Sequence, residues 1–474
     1  MTAAADAPPP SRSNTAFFGH PSGLGWLAFT ELWERFSYYG MAALLVLYMT
    51  HALLQPGHIE NIAGFGAFRW FVSLFYGNAD SPQALSSNIY GVYTAFVYLT
   101  PLGGGFLADR YLGRTTSVTI GALLMAMGHF LMAFDVSFVF ALVCLMFGVG
   151  FFKGNIASQV GDLYGPEDPR RADAFQIFLL FVQFSVIASP FVCGSLGEWY
   201  GWHWGFGAAG VGMLIGLATY LFGRYSLPPE PPRKTRNTAA PVRPPLSRND
   251  WIKMGVLIVL LPVLAVSLVG NQDIFNAYLV WSEQNYQLVF FGKTMPITWL
   301  LSFDAVFSAL TIGAAVAFWR WWATKWTEPD EITKITIGVC IAALAPLMLA
   351  AASVVVATTH QKVGLVWAVG FHLINDLGFA NVFPVGLALY SRAAPKGLTG
   401  LVIGLFYLHL FGANLFVGWV GALLEKMSAP SFWLLHVGLM LGAAAILMVV
   451  RFSFGKILAP AYSEADMAVE RTAA

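Results

Sequence analysis

The chain has 474 residues, of which 57% are hydrophobic and only 11% are charged, and its formal net charge is +1. Soluble globular proteins carry roughly 25% charged residues, so this composition excludes an ordinary soluble domain. The near-neutral charge balance, with no basic stripe interleaved with aromatic residues, also excludes a nucleic-acid partner. The composition therefore predicts an integral membrane protein.

Apolar segments recur along the whole sequence. A helix needs about 20 apolar residues to cross the hydrocarbon core, and an open sheet in lipid would leave backbone groups unpaired. We therefore predict an all-α polytopic membrane protein with twelve transmembrane helices. The predicted spans are residues 24–50, 87–108, 115–134, 138–160, 174–197, 203–223, 252–282, 299–319, 333–357, 364–390, 400–424 and 431–454.

The segments outside the spans divide the chain into two halves. The first residues are rich in Pro, Ala and Ser and lack the apolar core of a signal peptide. Prolines and charges dominate between the sixth and seventh spans, as in a flexible linker. The predicted organisation is a disordered cytoplasmic N-terminus at 1–20, a six-helix bundle at 21–223, a cytoplasmic linker at 224–250, a second six-helix bundle at 251–456 and a cytoplasmic tail at 457–474.

The distribution of lysine and arginine predicts the orientation in the membrane. The side that holds both predicted termini and the linker carries 20 of the 26 Lys and Arg residues, the opposite side carries 4, and 2 fall inside spans. Cytoplasmic loops carry an excess of these residues. We therefore expect a multi-pass protein of a bacterial-type cytoplasmic (inner) membrane with both termini in the cytoplasm.

The first span contains three charged residues in the segment FTELWERFSYYG. Glu34 and Arg35 follow Glu31 by three and four residues, so the three side chains share one helix face. Tyr38 lies one turn further on. Charges at the bilayer centre cost about 2.5 to 3.5 kcal/mol and usually face a cavity or a partner. A carboxylate removed from water favours its neutral form, so both glutamates are candidate proton carriers. The alternative is a structural ion cluster, or one solvated near the membrane surface.

Residues 51–86, between the first two spans, have an apolar middle that is too short to cross a membrane. This segment predicts an interfacial helix on the periplasmic face, in a position to cover an entrance.

The fourth span carries Lys153 directly after a glycine-rich run. Gly148, Gly150 and Gly154 are expected to let another helix approach closely, so an ammonium group held there needs a counter-charge within the protein. The alternative is that the lysine side chain extends to the cytoplasmic interface.

Polar residues also interrupt later spans. The run NQDIFN at 271–276 predicts a segment that lines water or substrate, or a broken helix. Within it, Asp273 is either part of that lining or a solvated acid near the outer interface. Asp304 stands early in the eighth span. His372 and His409 are of a type that titrates near neutral pH, although a lone histidine in a bundle more commonly packs.

A faint internal repeat relates the fourth span of each half. GNIASQVGDLYGPEDP at 154–169 aligns with ANVFPVGLALYSRAAP at 380–395, with one residue of slippage. Two halves on one plan, meeting around a central site, are common among secondary transporters. The repeat places Lys153 and Phe379 at equivalent positions.

Motifs for enzymatic chemistry are absent from the sequence. It has no phosphate loop, no His/Cys cluster with metal-ligand spacing and no nucleophile elbow. Cys144, Cys193 and Cys340 are isolated in apolar spans, as packing residues are. We therefore expect no enzyme activity, no metal site and no cofactor other than a coupling proton.

The segment GGGFLADRYLGRTT at 103–116 resembles the loop between the second and third spans of the major facilitator superfamily. In this loop Gly103 to Gly105 permit tight packing, and Asp109 lies at a helix boundary. Arg110 and Arg114 anchor the cytoplasmic face. The resemblance implies the major facilitator fold, with two pseudo-symmetric six-helix bundles that work by alternating access.

The segment ELWERFSYYG at 31–40 resembles the signature of the proton-dependent oligopeptide transporter (POT/PTR) family. Other segments similar to this family are VYLTP, GFFKGNIAS, MPITWLLSFDAVFS and FPVGLALYSRAAP. By this resemblance, Glu31 and Glu34 take part in proton coupling. The residues that would receive the carboxylate end of a peptide are Arg35, Tyr38, Tyr39 and Lys153. Those that would contact the peptide elsewhere are Tyr98 and Trp299.

Four positions depart from the family pattern. Phe379 occupies a position at which peptide-transporting relatives carry a glutamate. Gln183 occupies a position at which they carry an asparagine. Both are predicted substrate-binding positions. Asn271 occupies a position at which an acidic residue is common in the family, and Asp304 occupies one at which an asparagine is usual. We hypothesise that Asp304 supplies the charge missing at Phe379 and takes part in both substrate binding and proton coupling. Asp376 is the second candidate, and it is assigned with Asn271 to gating or structure.

The sequence thus predicts a proton-coupled symporter that imports di- and tripeptides. We expect a monomer in the lipid bilayer, with short peptides and protons as its partners. One alternative is a transporter of the same family that carries a different small solute, such as an anion or an amino-blocked molecule. A second alternative is a membrane sensor that does not transport.

Overall fold

The structure is a computed structural model that describes residues 15–79, 81–165, 168–230, 246–395 and 398–458. Most of the predicted N-terminus at 1–20, linker at 224–250 and tail at 457–474 therefore lies outside the described residues. The predicted boundaries of these segments and of the two bundles stay predictions.

Helices make up most of the described chain. Those of its first half are α1 (Ser22–Tyr48), α2 (Phe65–Tyr76), α3 (Pro82–Leu107), α4 (Arg114–Leu131), α5 (Phe138–Asp162), α6 (Arg170–Ser189), α7 (Ser195–Tyr200) and α8 (Trp202–Gly223). Those of its second half are α9 (Arg248–Ser267), α10 (Val269–Gln272), α11 (Ala277–Asn285), α12 (Trp299–Ala323), α13 (Glu331–Thr359), α14 (Val366–Ala393), α15 (Thr399–Gly421) and α16 (Ala429–Leu458). The two strands are β1 (Val289–Phe290) and β2 (Lys293–Thr294).

Within the described ranges, 11 helices are long and apolar enough to cross a membrane. Each coincides with one of the predicted spans, and turns of π-helix at Met49–Leu53, Ala108–Leu112 and Pro190–Gly194 extend α1, α3 and α6. The remaining predicted span, 115–134, corresponds to α4, which has 18 residues. The predicted all-α polytopic membrane fold is confirmed.

The seventh predicted span is a broken helix. α9 ends at Ser267, a short α10 and a 3-10 turn at Asp273–Phe275 follow, and α11 starts at Ala277. Asn276 has φ −124° and ψ −113°, outside the helical region, so the polar run at 271–276 interrupts the helix. Asp273 is 0% exposed, which corrects the alternative of a solvated acid at the outer interface.

Two short elements lie between the long helices. α2 occupies the middle of the 51–86 segment, where an interfacial helix was predicted. Strands β1 and β2 form an antiparallel hairpin. Its two turn residues, Phe291 and Gly292, have φ of 50° and 76°, as a two-residue hairpin turn of type I′ requires.

The described chain forms two compact units. The first comprises residues 1–44, 57–65 and 99–238, and the second comprises residues 45–56, 66–98 and 239–474. Most of α1, the end of α3 and helices α4 to α8 therefore belong to the first unit. The end of α1, nearly all of α2, most of α3 and helices α9 to α16 belong to the second.

Small residues set the position of α5 in the first unit. A Cβ added to Gly104 of α3 would lie 2.0 Å from the carbonyl oxygen of Gly150, and one added to Gly148 would lie 2.9 Å from the carbonyl oxygen of Gly121 on α4. The Thr100 hydroxyl of α3 also donates to a carbonyl of α5 over 2.9 Å. The helices thus meet backbone to backbone, as predicted for Gly148 and Gly150. The prediction is wrong for Gly103, Gly105 and Gly154, because no atom of the neighbouring described residues lies within 4 Å of an added Cβ there.

Glycines of α8 likewise determine which face of α1 packs on that helix. Cβ atoms added to Gly212 and Gly216 of α8 would lie 2.8 Å from Phe36 and 3.1 Å from Trp33. Trp33 and Phe36 therefore pack on α8, so the helix face that carries Glu31, Glu34 and Arg35 points elsewhere within the unit.

α14 is held between α12 and α13 in the second unit. A Cβ added to Gly378 would lie 2.5 Å from Ala342 of α13. The Trp319 indole of α12 donates to the Asn381 side chain over 2.7 Å. At the end of α14, Arg392 forms an ion pair with Glu331 of α13 at 2.9 Å. These contacts position the polar residues that α14 carries.

Candidate functional site

Three charged residues of α1 form a buried cluster in the first unit. Glu31, Glu34 and Arg35 are 5%, 0% and 4% exposed. The Nε atom of Arg35 lies 3.0 Å from Oε1 of Glu31 and 2.5 Å from Oε2 of Glu34. The structure thus brings together the three residues that the sequence places on one helix face. Their burial excludes the alternative of a cluster solvated near the membrane surface.

Lys153 completes this cluster from α5. Its charge interacts with those of Glu31, Glu34 and Arg35, and its side chain is half-buried. The alternative in which Lys153 extends to the cytoplasmic interface is therefore wrong. When all four groups are ionised, the two positive and two negative charges cancel. We refer to Glu31, Glu34, Arg35 and Lys153 as the α1–α5 charge cluster.

Several polar atoms of the charge cluster have no hydrogen-bond partner among the described residues. These are Nε and Nη2 of Arg35, Oε2 of Glu31 and both carboxylate oxygens of Glu34. The contacts of Arg35 Nε are therefore ion pairs without aligned N–H bonds. Buried polar groups are ordinarily hydrogen-bonded, so these atoms are in a position to bind a proton or a polar ligand.

Two tyrosines border the guanidinium group. The Arg35 Cζ atom lies 5.5 Å from the centre of the Tyr38 ring, a cation–π distance. Tyr39 meets Tyr38 edge to face with ring centres 5.2 Å apart, and its hydroxyl lies within hydrogen-bonding reach of Arg35. Both tyrosines thus lie where a ligand of Arg35 would bind.

The remaining predicted binding residues are distributed over both units. Gln183 lies half-buried on α6 of the first unit. Tyr98 on α3 and Trp299 at the start of α12 are half-buried residues of the second unit.

The predicted cytoplasmic motif lies where α3 ends and α4 begins. Asp109 and Arg110 fall in the π-helical turn that ends α3, and Arg110 lies over the Phe106 ring at 5.5 Å. Arg114 forms an ion pair with Asp162 at the end of α5. This pair joins the two helices that carry the motif and Lys153.

A second polar cluster lies in the second unit. Oδ1 of Asp304 on α12 lies 2.7 Å from Nδ1 of His372 on α14. The opposite ring nitrogen, Nε2, lies 2.9 Å from the Tyr278 hydroxyl on α11. Asp376 lies one helical turn after His372, is 1% exposed, and interacts electrostatically with Asp304. Asp304, Asp376, His372 and Tyr278 are here termed the Asp304 cluster.

The sequence pointed to some members of this cluster only. It singled out both aspartates and read His372 as a packing residue, and it did not identify Tyr278. The spacing of His372 and Asp376, four residues apart, was the available signal because such residues share a helix face. The partners on α11 and α12 come from distant parts of the chain.

Asn271 and Phe379 line a narrow recess in the second unit, between α10 and α14. The recess has an empty volume of about 190 Å³ and no room for a water molecule. The Asn271 side chain accepts from Gln272 over 3.0 Å, and Gln272 accepts from Asn414 over 3.3 Å. The Phe379 ring stacks on Phe383 with ring centres 5.5 Å apart and 12° between planes. An apolar stack therefore occupies the position of the missing glutamate.

A buried pair that sequence reasoning missed joins the broken helix to α16. Oδ2 of Asp273 lies 3.3 Å from Nε2 of His436, and both side chains are at most 1% exposed. Throughout the described part of the chain, no group of three or more His, Cys, Asp or Glu residues is arranged to hold a metal ion.

Comparison with known proteins shows what this chain is similar to. The family profile PTR2, described as the POT family, matches residues 115–243. The peptide transporter YePEPT of Yersinia enterocolitica is 27% identical, over 92% of this chain and 94% of its own length. A di-/tripeptide transporter of Lactococcus lactis subsp. cremoris is 29% identical, over 96% of this chain and 87% of its own length.

A solved structure agrees in fold with this chain. It is the crystal structure of a peptide transporter POT in complex with sulfate, with a TM-score of 0.79 and 23% identity, covering 93% of this chain and 96% of that chain. In sequence and in fold, the chain is thus similar to transporters of the POT family.

These comparisons confirm the resemblance seen in the sequence and the fold that it implies. The chain is a multi-pass membrane protein. The two relatives described above are peptide transporters rather than enzymes.

Proposed function

We propose that this protein imports di- and tripeptides in symport with protons, by alternating access. The peptide substrate is supported by the similarity to two peptide transporters, from Yersinia enterocolitica and Lactococcus lactis. The proton coupling rests on one observation in the structure: Glu31 and Glu34 are buried in ion pairs with Arg35, and the charge of Lys153 interacts with theirs, so that two carboxylates and two cations balance one another.

The charge balance makes proton uptake and carboxylate binding interdependent. A peptide carboxylate that binds at Arg35 and Lys153 adds a negative charge to a cluster that is neutral when fully ionised. At about 4 Å and an effective dielectric constant of about 20, two like charges repel by about 4 kcal/mol. Protonation of Glu31 or Glu34 removes that repulsion. Peptide and proton therefore favour each other's binding, which is the requirement for symport.

The chemistry of the cluster fits the carboxylate end of a peptide. Nη2 of Arg35 has no hydrogen-bond partner in the described part of the chain, and a guanidinium binds a carboxylate through parallel N–H bonds. Tyr38 and Tyr39 add an aromatic face and a hydroxyl beside it. Lys153 contributes a second positive charge. In this proposal Tyr98, Gln183 and Trp299 contact the rest of the peptide.

The amino end of the peptide requires an acid. Phe379 stands where relatives carry a glutamate, and its ring stacks on Phe383. In the second unit, Asp304 is 16% exposed at its side chain, against 1% for the whole of Asp376. We therefore assign Asp304 the role of binding the peptide ammonium group.

The proposed cycle starts from the outward-facing state. Proton and peptide bind together, the charge cluster reorganises, and the protein opens inward. A negative interior and an acidic exterior both drive this cycle, and one charge moving through the membrane potential contributes about 2.3 kcal/mol per 100 mV. The proposed setting is a bacterial cytoplasmic membrane, with a monomeric protein and both termini inside, in accord with the Lys and Arg asymmetry.

Uptake by purified protein in proteoliposomes tests the proposal. A labelled dipeptide should accumulate only when the outside is acidic or the inside is negative, and an uncoupler should abolish accumulation. Competition with unlabelled dipeptides and tripeptides should reduce uptake of the label. Binding without accumulation under any gradient would contradict transport and support a sensor.

A second candidate function is transport of an anion or an amino-blocked molecule. The observation that favours it is the Phe379–Phe383 stack, which places an apolar surface at the position where the family resemblance implies a glutamate that binds the amino group. The same uptake assay separates the two candidates. Peptides with a free amino end should compete better than amino-blocked ones if the peptide function is correct, and worse if the second candidate is correct.

A further inference from the structure

Helix α2 packs on α3, the helix that follows it in the chain. The Phe96 ring of α3 contacts the rings of Phe71 and Phe75 of α2, with ring centres 5.8 and 6.1 Å away. Five residues separate Tyr76, the last residue of α2, from Pro82, the first residue of α3. A chain of that length reaches at most about 20 Å. α2 therefore stays with α3 when α3 moves.

The end of α2 is also bonded to α15. The Tyr76 hydroxyl donates to the main-chain carbonyl oxygen of Leu415 over 2.8 Å. A Cβ added to Gly418, which follows on the same helix, would lie 2.5 Å from the Tyr76 hydroxyl oxygen. The tyrosine thus occupies space on α15 that any residue larger than glycine would fill. Through this one side chain, α2 is attached to two helices that are distant in sequence.

α3 and α15 meet directly beside Tyr76. The Gln83 side chain of α3 donates to the main-chain carbonyl oxygen of Gly421 over 3.0 Å. A Cβ added to Gly91 of α3 would lie 2.5 Å from the Cα atom of Gly418, so the two backbones touch. We refer to the contacts of Gln83 with Gly421 and of Gly91 with Gly418 as the α3–α15 seam.

The α3–α15 seam lies on the outer side of the proposed membrane orientation, where α3 begins and α15 ends. The contact of the two helices continues inward to Phe96 and Phe411, whose ring centres are 5.8 Å apart. Residues 66–98 belong to one compact unit with residues 239–474. The outer part of α3 is therefore packed against the second half of the chain in this structure.

Separation of α3 from α15 requires the Tyr76 bond to break. Since α2 is held on α3 by its aromatic contacts and by the short connection, it cannot follow α15 when the seam opens. The hydroxyl of Tyr76 then loses the Leu415 carbonyl oxygen. A net hydrogen bond of this kind changes a conformational equilibrium by about fivefold.

We propose that α2 is a strap that holds the α3–α15 seam closed on the outer side, with the Tyr76 hydroxyl as its point of attachment to α15. This inference rests on the proposed function, because in alternating access the bundle that contains α3 and the bundle that contains α15 separate on the outer side in each cycle. The strap favours the state that is closed to the outside. It therefore lowers the population of the outward-facing state, in which peptide and proton bind.

A cysteine at position 87 reports the opening of the seam without transport. Ser87 is 0% exposed, and its hydroxyl oxygen would lie 3.0 Å from a Cβ added to Gly421, so the closed seam covers it. The full-length protein is expressed in spheroplasts, and alanine replaces Cys144, Cys193 and Cys340. In this parent, Ser87→Cys should react slowly with a membrane-impermeant maleimide added outside. The reaction rate measures the population with an open seam.

Removal of the Tyr76 hydroxyl should open the seam more often. In the Ser87→Cys parent, Tyr76→Phe should raise the rate of modification about fivefold, because the closed state loses one hydrogen bond. Tyr200→Phe is the matched control, since it makes the same chemical change at a tyrosine that is 69% exposed, and it should leave the rate unchanged. Equal rates in Tyr76→Phe and the parent would overturn the strap, as would an equal rise in Tyr200→Phe.

A methyl group at Gly418 perturbs the same contact from the side of α15. Its Cβ would lie 2.5 Å from the Tyr76 hydroxyl oxygen and 2.9 Å from the Cα atom of Gly91, so Gly418→Ala should raise the rate at least as much as Tyr76→Phe. Adding Tyr76→Phe to this variant should change the rate little, because the attachment is already displaced. A further fivefold rise would contradict the shared contact. Gly404→Ala should match the parent, since no described neighbour lies within 4 Å of a Cβ added there.

A distance measurement keeps the test decisive if Ser87→Cys itself reacts rapidly. Spin labels at Asn78 and Glu425, which are exposed near the start of α3 and the end of α15, report the same opening by double electron–electron resonance. Tyr76→Phe should raise the fraction of molecules at the longer distance about fivefold. An unchanged distance distribution would overturn the strap.

The two proposals fail in different ways. Gradient-driven peptide uptake in the wild type, together with seam variants that behave as the parent, would overturn the strap and leave the proposed function intact. Absence of gradient-driven uptake in the wild type would instead contradict the proposed function. The labelling rates would then still show whether α2 holds α3 and α15 together, because they require no transport.

Discussion

Replacing Glu34 by Gln should uncouple peptide binding from proton uptake. Glu34 is 0% exposed and contacts Arg35 Nε at 2.5 Å, and Gln has nearly the same shape without the charge. In the variant the α1–α5 charge cluster carries one net positive charge. A peptide carboxylate neutralises that charge directly, so binding no longer requires a proton.

The size of the effect follows from the charge count. When one proton is taken up with each peptide, the association constant of the peptide falls tenfold for each pH unit above the pH at which the free cluster binds that proton. A tenfold change corresponds to about 1.36 kcal/mol. Between about pH 6 and about pH 8 the wild type should therefore lose up to about a hundredfold in affinity, or ~2.7 kcal/mol. The Glu34→Gln variant should bind with little pH dependence over the same range. Because Glu31→Gln also removes one negative charge from the cluster, its peptide binding should likewise show little pH dependence.

Calorimetric titration of a dipeptide into detergent-solubilised protein measures the pH dependence. In proteoliposomes, both variants should retain counterflow exchange and lose accumulation driven by a proton gradient. Glu283→Gln is the matched control, since Glu283 pairs with His51 at 2.7 Å on an exposed part of the second unit. It should keep the pH dependence of the wild type.

Retention of a tenfold change per pH unit in both variants would refute the reasoning. So would gradient-driven accumulation that survives both substitutions. Either result would place the coupling proton outside the α1–α5 charge cluster.

Three further predictions concern single residues. Asp304→Asn should abolish uptake of peptides with a free amino end while leaving expression unchanged; unaltered uptake in that variant would contradict the assigned role. Gly104→Ala should destabilise the protein by about 1 to 3 kcal/mol, because its Cβ would lie 2.0 Å from a carbonyl oxygen of α5, whereas Gly103→Ala, with open space around it, should be close to neutral in thermal unfolding. Asp330 caps the N-terminus of α13 and binds Arg451 at 2.9 Å. Burial alone would raise the pKa of Asp330. Hydrogen bonds from the α13 backbone and from Arg451 outweigh burial and hold this pKa below its ordinary value. The difference in stability between the wild type and Asp330→Asn should therefore be constant above about pH 4 and shrink as the pH falls further. Thermal unfolding of both proteins measures this difference, and a difference that stays constant down to strong acid would contradict the prediction.

The class and the helix positions of this protein are determined by local sequence. A run of apolar residues in lipid has little choice but to form a helix, so the predicted spans coincide with helices of the structure. The three charges of α1 were likewise predicted to lie together, since residues three and four apart on one helix share a face. Family motifs carried the same information for Lys153.

Tertiary structure alone decided which distant residues meet. No local pattern shows that His372 lies between Asp304 and Tyr278, or that Asp273 pairs with His436. The same holds for the glycines, because only the packing of α3, α4 and α5 determines which of them face a neighbouring backbone and which face open space. Helix periodicity specifies the face of a side chain but not the helix that packs against it, and the charge balance of a buried site depends on that partner.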